Sequence, residues 1–315
     1  MVQRIDRLVT LFGGGGFVGR YVTQALHRSG VRVRIAQRDP RRAFFLKPLG
    51  GLGQTQFVGV DIRDPRAVAE AVKGSDAVVN LVGILKGNFH AIHVEGARTI
   101  AQAAAAAGAG SLVHMSAIGA DPDHPSAYGR SKALGERAVR GAFPSATIMR
   151  PSVVFGREDN FINRFAGMAR LLPVLPVIRG EAKLQPVFAA DVGHAVAAAA
   201  LDPAAHAGRT YELGGPQVMT MRELNAWIGE ATSRKPALID VPDNVGRMLV
   251  QLFGWLPGAP ITGDQWLMLQ RDNIVAEGAE GLRSFGITPT PLAAVADSWL
   301  TSYRRNGRFG AKQPY

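Results

Sequence analysis

The residues best placed to do chemistry in this chain are a tyrosine and a lysine four positions apart. Tyr128-Gly129-Arg130-Ser131-Lys132 sets both side chains on one face of a helix, about one turn apart. A free phenol titrates at about pH 10, and an ammonium beside it favours the phenolate. The spacing therefore predicts Tyr128 as an acid/base group at neutral pH. Ser116 lies twelve residues upstream at the end of an apolar run and adds a hydroxyl to the same constellation.

A second constellation stands near the N-terminus. Gly13, Gly14, Gly15 and Gly16, then Phe17, Gly19 and Arg20, follow the apolar run Leu8–Phe12 and open a helical pattern. Gly13, Gly16 and Gly19 give G-x-x-G-x-x-G; Gly14, Gly16 and Gly19 give G-x-G-x-x-G. Both patterns serve a tight turn, a close backbone approach and helix–sheet packing, with a helix N-terminus aimed at a pyrophosphate. A strand before the loop and a helix after it make the match a dinucleotide-binding signal. With a dinucleotide there, Lys132 is also placed to hold the nicotinamide ribose. The second strand ends Ala36-Gln37-Arg38-Asp39. Arg38 there, with Arg20 from the loop side, suits a 2′-phosphate, so NADP(H) is favoured over NAD(H). Asp39, which would suit a ribose 2′-hydroxyl, comes one place late. Asp61 and Ile62 follow the third strand, where the adenine edge is expected. Asn80, Val82 and Gly83 follow the fourth, where they would line the nucleotide. Pro151, after the sixth, completes the candidate contacts.

The elements that must position these residues alternate. Strands are expected at Leu8–Phe12, Val31–Gln37, Thr55–Val60, Ala77–Val82, Leu112–Met115 and Ala146–Arg150. Helices are expected at Phe17–Arg28, Pro65–Val72, His90–Ala107 and Tyr128–Arg140. Apolar β-branched runs separated by helices predict buried parallel strands and a doubly wound Rossmann-type α/β sheet. After about Pro151 helices dominate: Asn160–Leu171, Met221–Ala231, Asn244–Phe253, Asp264–Asp272 and Pro291–Tyr303, with short strands at Val187–Phe188 and Thr210–Leu213. Residues 1–150 thus read as an NAD(P)-binding domain. Residues 151–315 read as a smaller substrate or partner lobe, partly interleaved with the first, ending in a loose basic tail at Arg304–Tyr315.

Composition narrows the classes. The chain has 315 residues and no cysteine, which excludes disulfides, thiolate metal sites and cysteine nucleophiles. No motif for a metal ion or for nucleic acid stands beside the charge. No apolar run is long enough to span a membrane, and nothing at the N-terminus reads as a signal peptide. The net charge is +11, with 20 basic against 10 acidic residues in 1–150 and 16 against 15 in 151–315. The excess therefore sits in the nucleotide-binding half, part of it facing phosphates and the rest suited to an acidic partner or anionic lipid.

The glycine loop, Asp61 and the Tyr128/Lys132 pair together resemble the short-chain dehydrogenase/reductase superfamily in its extended or atypical branch. Gly16-Phe17-Val18-Gly19-Arg20-Tyr21-Val22, Arg150–Asp159, Gln185–Phe188 and Asp191-Val192 resemble, more narrowly, the nucleotide-binding accessory subunits of respiratory complex I (NADH:ubiquinone oxidoreductase) and their bacterial relatives. The likeness runs from about residue 5 to residue 303 and is looser beyond about 235. It implies a protein that holds NADPH without turnover against the peripheral arm of complex I, on the cytoplasmic face of the inner membrane. It also implies roles residue by residue. Gly13, Gly16 and Gly19 would hold the pyrophosphate, Arg20 and Arg38 the 2′-phosphate, Tyr128 and Lys132 the nicotinamide ribose.

Two departures from the superfamily bear on catalysis. Active members usually carry a second hydroxyl after the serine, whereas this chain reads Ser116-Ala117. They usually carry Asn where this chain has His93. An incomplete proton relay beside a whole nucleotide site favours binding over turnover. The alternatives are an active NAD(P)H-dependent reductase, epimerase or dehydratase, on a quinone precursor or nucleotide sugar, with Tyr128, Lys132 and Ser116 catalytic, or an NADP(H) redox sensor. In the second lobe, Asn244–Pro257 with Trp255, and Asp264–Arg271 with Trp266, read either as a partner or membrane surface or as ordinary core.

Overall fold

The structure, a computed structural model, describes residues 7–253, 261–305 and 307–309. It divides into two units. The first comprises residues 1–151, 189–213 and 276–288; the second comprises 152–188, 214–275 and 289–315.

Seven strands form the sheet of the first unit: β1 (Leu8–Phe12), β2 (Arg32–Gln37), β3 (Thr55–Gly59), β4 (Ala77–Asn80), β5 (Ser111–Met115), β6 (Thr147–Pro151) and β7 (Thr210–Leu213). The order is β7-β6-β5-β4-β1-β2-β3 and every pairing is parallel. All residues of β1, β4 and β5 are buried, as expected for strands covered on both faces. Helices α1 (Phe17–Arg28), α2 (Pro65–Val72), α3 (Ala97–Ala106), α4 (Ala127–Ala142) and α5 (Ala189–Leu201) flank it. On one face α2, α3 and α4 share a core with Phe12, Val78, Leu112 and Ile148. On the other, α1 and α5 pack together so closely that a Cβ at Gly193 would lie 2.8 Å from the Tyr21 carbonyl carbon. This is the Rossmann-type doubly wound fold that the alternation predicts.

Strand order reverses between β1 and β4, where Phe12 pairs with Asn80. The chains leaving their carboxyl ends diverge there and open the crevice in which such folds bind ligands.

Several elements differ from expectation. The helix expected from His90 begins as a π-helical turn, His90–Gly96, before continuing as α3. The wider turn lets α4 cross it where Gly135 faces the His93 carbonyl. Pro40–Leu49 forms a 3₁₀ helix capped by Asp39, which accepts from Arg41 N–H. Helix α5 was not expected, because its near-uniform Ala and Val content is buried on most sides and leaves no amphipathic stripe.

The second unit contains the helices Ile162–Leu171, Met221–Ala231, Asp243–Phe253 and Gly263–Met268 and three two-stranded pairs. The parallel pair Val174–Ile178 with Ala237–Val241 was also unexpected. Pro291–Tyr303, expected as one helix, is three short turns. Trp266 is core, its ring against Gly246, which overturns the surface reading for that residue. Trp255 and most of the expected tail lie outside the described residues.

Gly135 and Gly141 both lie in α4 and test the packing by contrast. A methyl at Gly135 would lie 2.2 Å from the His93 carbonyl oxygen, whereas one at Gly141 meets nothing within 4 Å. Gly135→Ala should cost about 2–3 kcal/mol in urea unfolding, as overpacking against backbone does. Gly141→Ala should gain about 0.5 kcal/mol from helix propensity.

Candidate functional site

The loop between β1 and α1 is built as a cradle. Gly13 sits at φ +80° and hydrogen-bonds through its N–H to the Ala36 carbonyl (3.0 Å). A side chain there would be strained by that positive φ. A Cβ at Gly19 would lie 2.5 Å from the Gly14 carbonyl oxygen, so only glycine lets α1 tuck under the loop. Gly16 caps α1 without a side-chain hydrogen bond, and no acidic residue lies in the first turn. The positive end of the α1 dipole is thus uncompensated where phosphate is expected. Phe17 stands edge-on to Tyr21 at 5.9 Å. These features fit a pyrophosphate.

Gln37, not singled out in the sequence, joins the loop to β2. Its Oε1 accepts from Gly15 N–H (3.0 Å) and its Nε2 donates to the Asp39 carbonyl (2.6 Å). Beside it Arg38 is exposed, while Asp39 takes Arg41 (3.2 Å) and Arg42 (3.8 Å) in ion pairs. Arg20 lies with its guanidinium over the Phe45 ring at 4.4 Å. Arg20 and Arg38 therefore both stand on the β2 side of the loop, and the Asp39 carboxylate is committed to its own arginines. Asp61 is clasped by Arg63 through two side-chain nitrogens and the backbone N–H, which holds its carboxyl at about 2, well below the usual range. Ile62 is buried against Gly96.

On the β4 side, Asn80 is buried. Its Oδ1 accepts from Val82 N–H (3.0 Å) and its Nδ2 donates to His114 Nδ1 (3.2 Å). Gly83 faces Lys132, a Cβ there falling 3.4 Å from Nζ. Pro151 ends β6 and accepts from Ile118 N–H (3.0 Å).

Tyr128 and Lys132 share a face of α4 as predicted, Nζ lying 5.7 Å from the ring centroid. Lys132 is buried and donates to the Met115 carbonyl (3.0 Å). Burial pulls its ammonium down to about 8, against the carboxylate of Glu136, which pulls the other way. The expected effect on Tyr128 is reversed: burial pushes the phenol up to about 12. Half-buried between Phe89 and His93, the ring has lost more hydration than the lysine restores, so the phenol stays neutral at pH 7. Ser116 is buried at the end of β5, and its Oγ has no hydrogen-bond partner among the described residues.

His93 is fully used. Its Nε2 accepts from Ile84 N–H (2.9 Å), which places its proton on Nδ1; that proton is donated to Ser131 Oγ (2.8 Å), and Ser131 donates to the Tyr128 carbonyl (2.7 Å). Burial and the nearby Lys132 ammonium lower His93 to about 3. The histidine locks the β4 loop, the π turn and α4 to one another.

The sequence pattern of the NAD dependent epimerase/dehydratase family matches residues 9–214. The chain belongs to that family. It is 37% identical over 304 residues to the mouse (Mus musculus) mitochondrial NADH dehydrogenase [ubiquinone] 1 alpha subcomplex subunit 9, covering 94% of this chain and 80% of the mouse protein. It is 31% identical over 248 residues to a ceramide reductase of Caulobacter vibrioides, covering 75% and 74% of the two chains. Among solved structures, an NADPH-dependent quinone oxidoreductase of Escherichia coli complexed with NADPH superposes with a TM-score of 0.73 at 19% identity, over 93% of this chain and 99% of that one. That likeness shows the fold.

The epimerase/dehydratase fold binds a nicotinamide dinucleotide, and the cradle is shaped for one. Three contributors escaped the sequence reading: Gln37, Ser131, and the ion pair of Arg150 with Glu136 (2.7 Å) that holds the carboxylate behind Lys132. Only Arg150's place in a quoted motif hinted at the last.

His93 and His114 are both buried and both lowered to about 3. The unfolded chain takes up protons near pH 6.5 that the folded one refuses, so their contribution is present above pH 6.5 and lost as pH falls toward 3. Stability should drop through this window by up to about 1.4 kcal/mol per pH unit for each histidine. His93→Asn should remove about half of that slope between pH 6.5 and 4.5, read by urea midpoints; an unchanged slope would mean His93 titrates normally.

Proposed function

We propose that this protein is an NADP(H)-holding accessory or assembly subunit of respiratory complex I (NADH:ubiquinone oxidoreductase), docked on the peripheral arm at the cytoplasmic face of the inner membrane, and that it does not turn the nucleotide over. The observation that carries this is the continuous likeness to the mouse subunit along nearly the whole chain. Among the described residues no helix is long and apolar enough to cross a membrane, which agrees with a peripheral position.

The site supports holding more than turnover. A bound nicotinamide would supply hydride chemistry. Gly13, Gly14, Gly16 and the first turn of α1 would take the pyrophosphate, and Arg20 and Arg38 the 2′-phosphate. Tyr128, neutral at pH 7, and the Lys132 ammonium would hold the ribose. A neutral, half-buried phenol binds a hydroxyl well but is a poor base. His93, with both ring nitrogens engaged, carries no proton onward, and Ala117 offers no second hydroxyl. NADPH at 100 times its dissociation constant would then add about 2.7 kcal/mol to stability.

A second reading is an active reductase. The ceramide reductase likeness favours it, as does the retained set Ser116, Tyr128 and Lys132, with a buried serine hydroxyl left for a ligand.

NADPH should raise the melting temperature more than NADH does. Arg38→Ala should weaken NADPH at least about tenfold and leave NADH unaffected, the loss of a charge-assisted hydrogen bond. Equal shifts with the two nucleotides would sink the 2′-phosphate assignment. A tagged copy should recover complex I subunits from solubilised membranes; recovering none would remove the accessory reading. Steady NADPH consumption with quinone analogues or a ceramide precursor, abolished by Tyr128→Phe, would establish the second reading instead.

A further inference from the structure

Residues 40–52 form a face that the nucleotide cradle does not explain. The 3₁₀ helix Pro40–Leu49 turns every three residues, and Ala43 and Leu46, three apart, are fully buried and pin it down. Arg41, Arg42, Phe44, Phe45, Lys47 and Leu49 all point outward. The segment then turns through Gly51-Leu52-Gly53, with Gly53 at φ +74°. Leu52 at the tip is 108% exposed, as open as in an extended peptide. Phe44 is 41% and Phe45 43% exposed. Isolated exposed leucines are ordinary; four large apolar side chains exposed within nine residues of one segment are not.

Cations border these side chains. Arg38, Arg41, Arg42 and Lys47 stand against one carboxylate, Asp39, between residues 38 and 52. The Lys47 ammonium lies 3.9 Å above the Phe44 ring and the Arg20 guanidinium 4.4 Å above Phe45, so each exposed aromatic carries a cation at its own level. The ion pairs of Asp39 with Arg41 and Arg42 are exposed and hold those arginines only weakly.

We propose that residues 40–52 dock the protein on an anionic lipid surface. Phe44, Phe45, Leu49 and Leu52 enter the interface while Arg41, Arg42 and Lys47 meet lipid phosphates. The apolar tips protrude, which suits a deformable bilayer interface; a protein partner would need a preformed hollow to receive Leu52. Interfacial aromatics beside cations are the side chains that this boundary favours. The proposal stands apart from the complex I assignment, since it concerns the protein and lipid alone.

The test is flotation of the full chain with vesicles of phosphatidylcholine, and of phosphatidylcholine mixed with phosphatidylglycerol. Binding is expected to the mixed vesicles only and to weaken as salt rises. Arg41→Gln with Arg42→Gln should reduce partitioning about 30-fold, at about fivefold per cation lost from an anionic surface before saturation. Leu52→Ser should reduce it about tenfold. All three side chains are exposed, so the urea unfolding midpoints should match the parent's. As a second readout, Leu52→Trp should show blue-shifted emission on mixed vesicles. Equal binding to neutral vesicles, no binding to either, unchanged binding of the variants, or an unshifted Leu52→Trp spectrum would each overturn the proposal. Capture of an acidic protein by this face without vesicle binding would do the same.

Discussion

The rest of the site depends on a single buried ammonium. Lys132 lies behind Gly83, donates to the end of β5 at Met115, and has Glu136 one turn further along α4. A charge in that position requires a neutral neighbourhood on one side and a compensating carboxylate on the other. Both are present. His93 and His114, which would add like charge, are held neutral. Glu136 is kept in place by Arg150, which in turn reaches Glu212 on β7 (3.6 Å). The ion-pair chain thus runs from the sheet edge toward the centre of the candidate site.

The same ammonium explains why Tyr128 departs from the simple picture of a paired phenolate. Lys132 spends a hydrogen bond on the Met115 carbonyl and lies 5.7 Å from the phenol ring centre. At that distance its attraction is outweighed by the desolvation of a half-buried phenolate beside Phe89 and His93, and desolvation sets the direction of the shift. A pair that spacing alone assigns to proton transfer becomes, once buried, a neutral donor beside a charged one. Such a pair binds a diol well.

What was legible in the sequence follows from how local each feature is. Leu8–Phe12 and Phe17–Arg28 were readable to the residue, because an apolar run, a glycine turn and an amphipathic helix each announce themselves within a few positions. The cradle was legible for the same reason. Helix α5 was not, since a segment buried on most sides has no hydrophobic period to read. The π turn at His90–Gly96 was not, since it is imposed by the crossing of α4 at Gly135. Spacing identified Tyr128 and Lys132 as neighbours, but the dielectric around them is a property of Phe89, His93 and the sheet. Asp61 and His93 were recognised by place, while their partners Arg63 and Ser131 emerged only from geometry.

The positive charge of the first half divides by what it touches. Arg34 donates to the Ala71 and Lys73 carbonyls and Arg7 to Leu201, so both serve as clips for strand and helix ends. Arg63 and Arg150 are matched by carboxylates. Five others, Arg20, Arg38, Arg41, Arg42 and Lys47, stand along one rim. That rim has two sides. A Cβ at Gly15 would lie 3.0 Å from Ala43 Cβ, so the glycine loop leans directly on the 3₁₀ helix that carries Phe44, Phe45 and Leu49 outward. Charge concentrated on so short a segment costs self-repulsion, which a folded protein tolerates where anions regularly meet it. One side of the helix faces the cradle and the other faces solvent, and a single buried pair, Ala43 and Leu46, holds both in register.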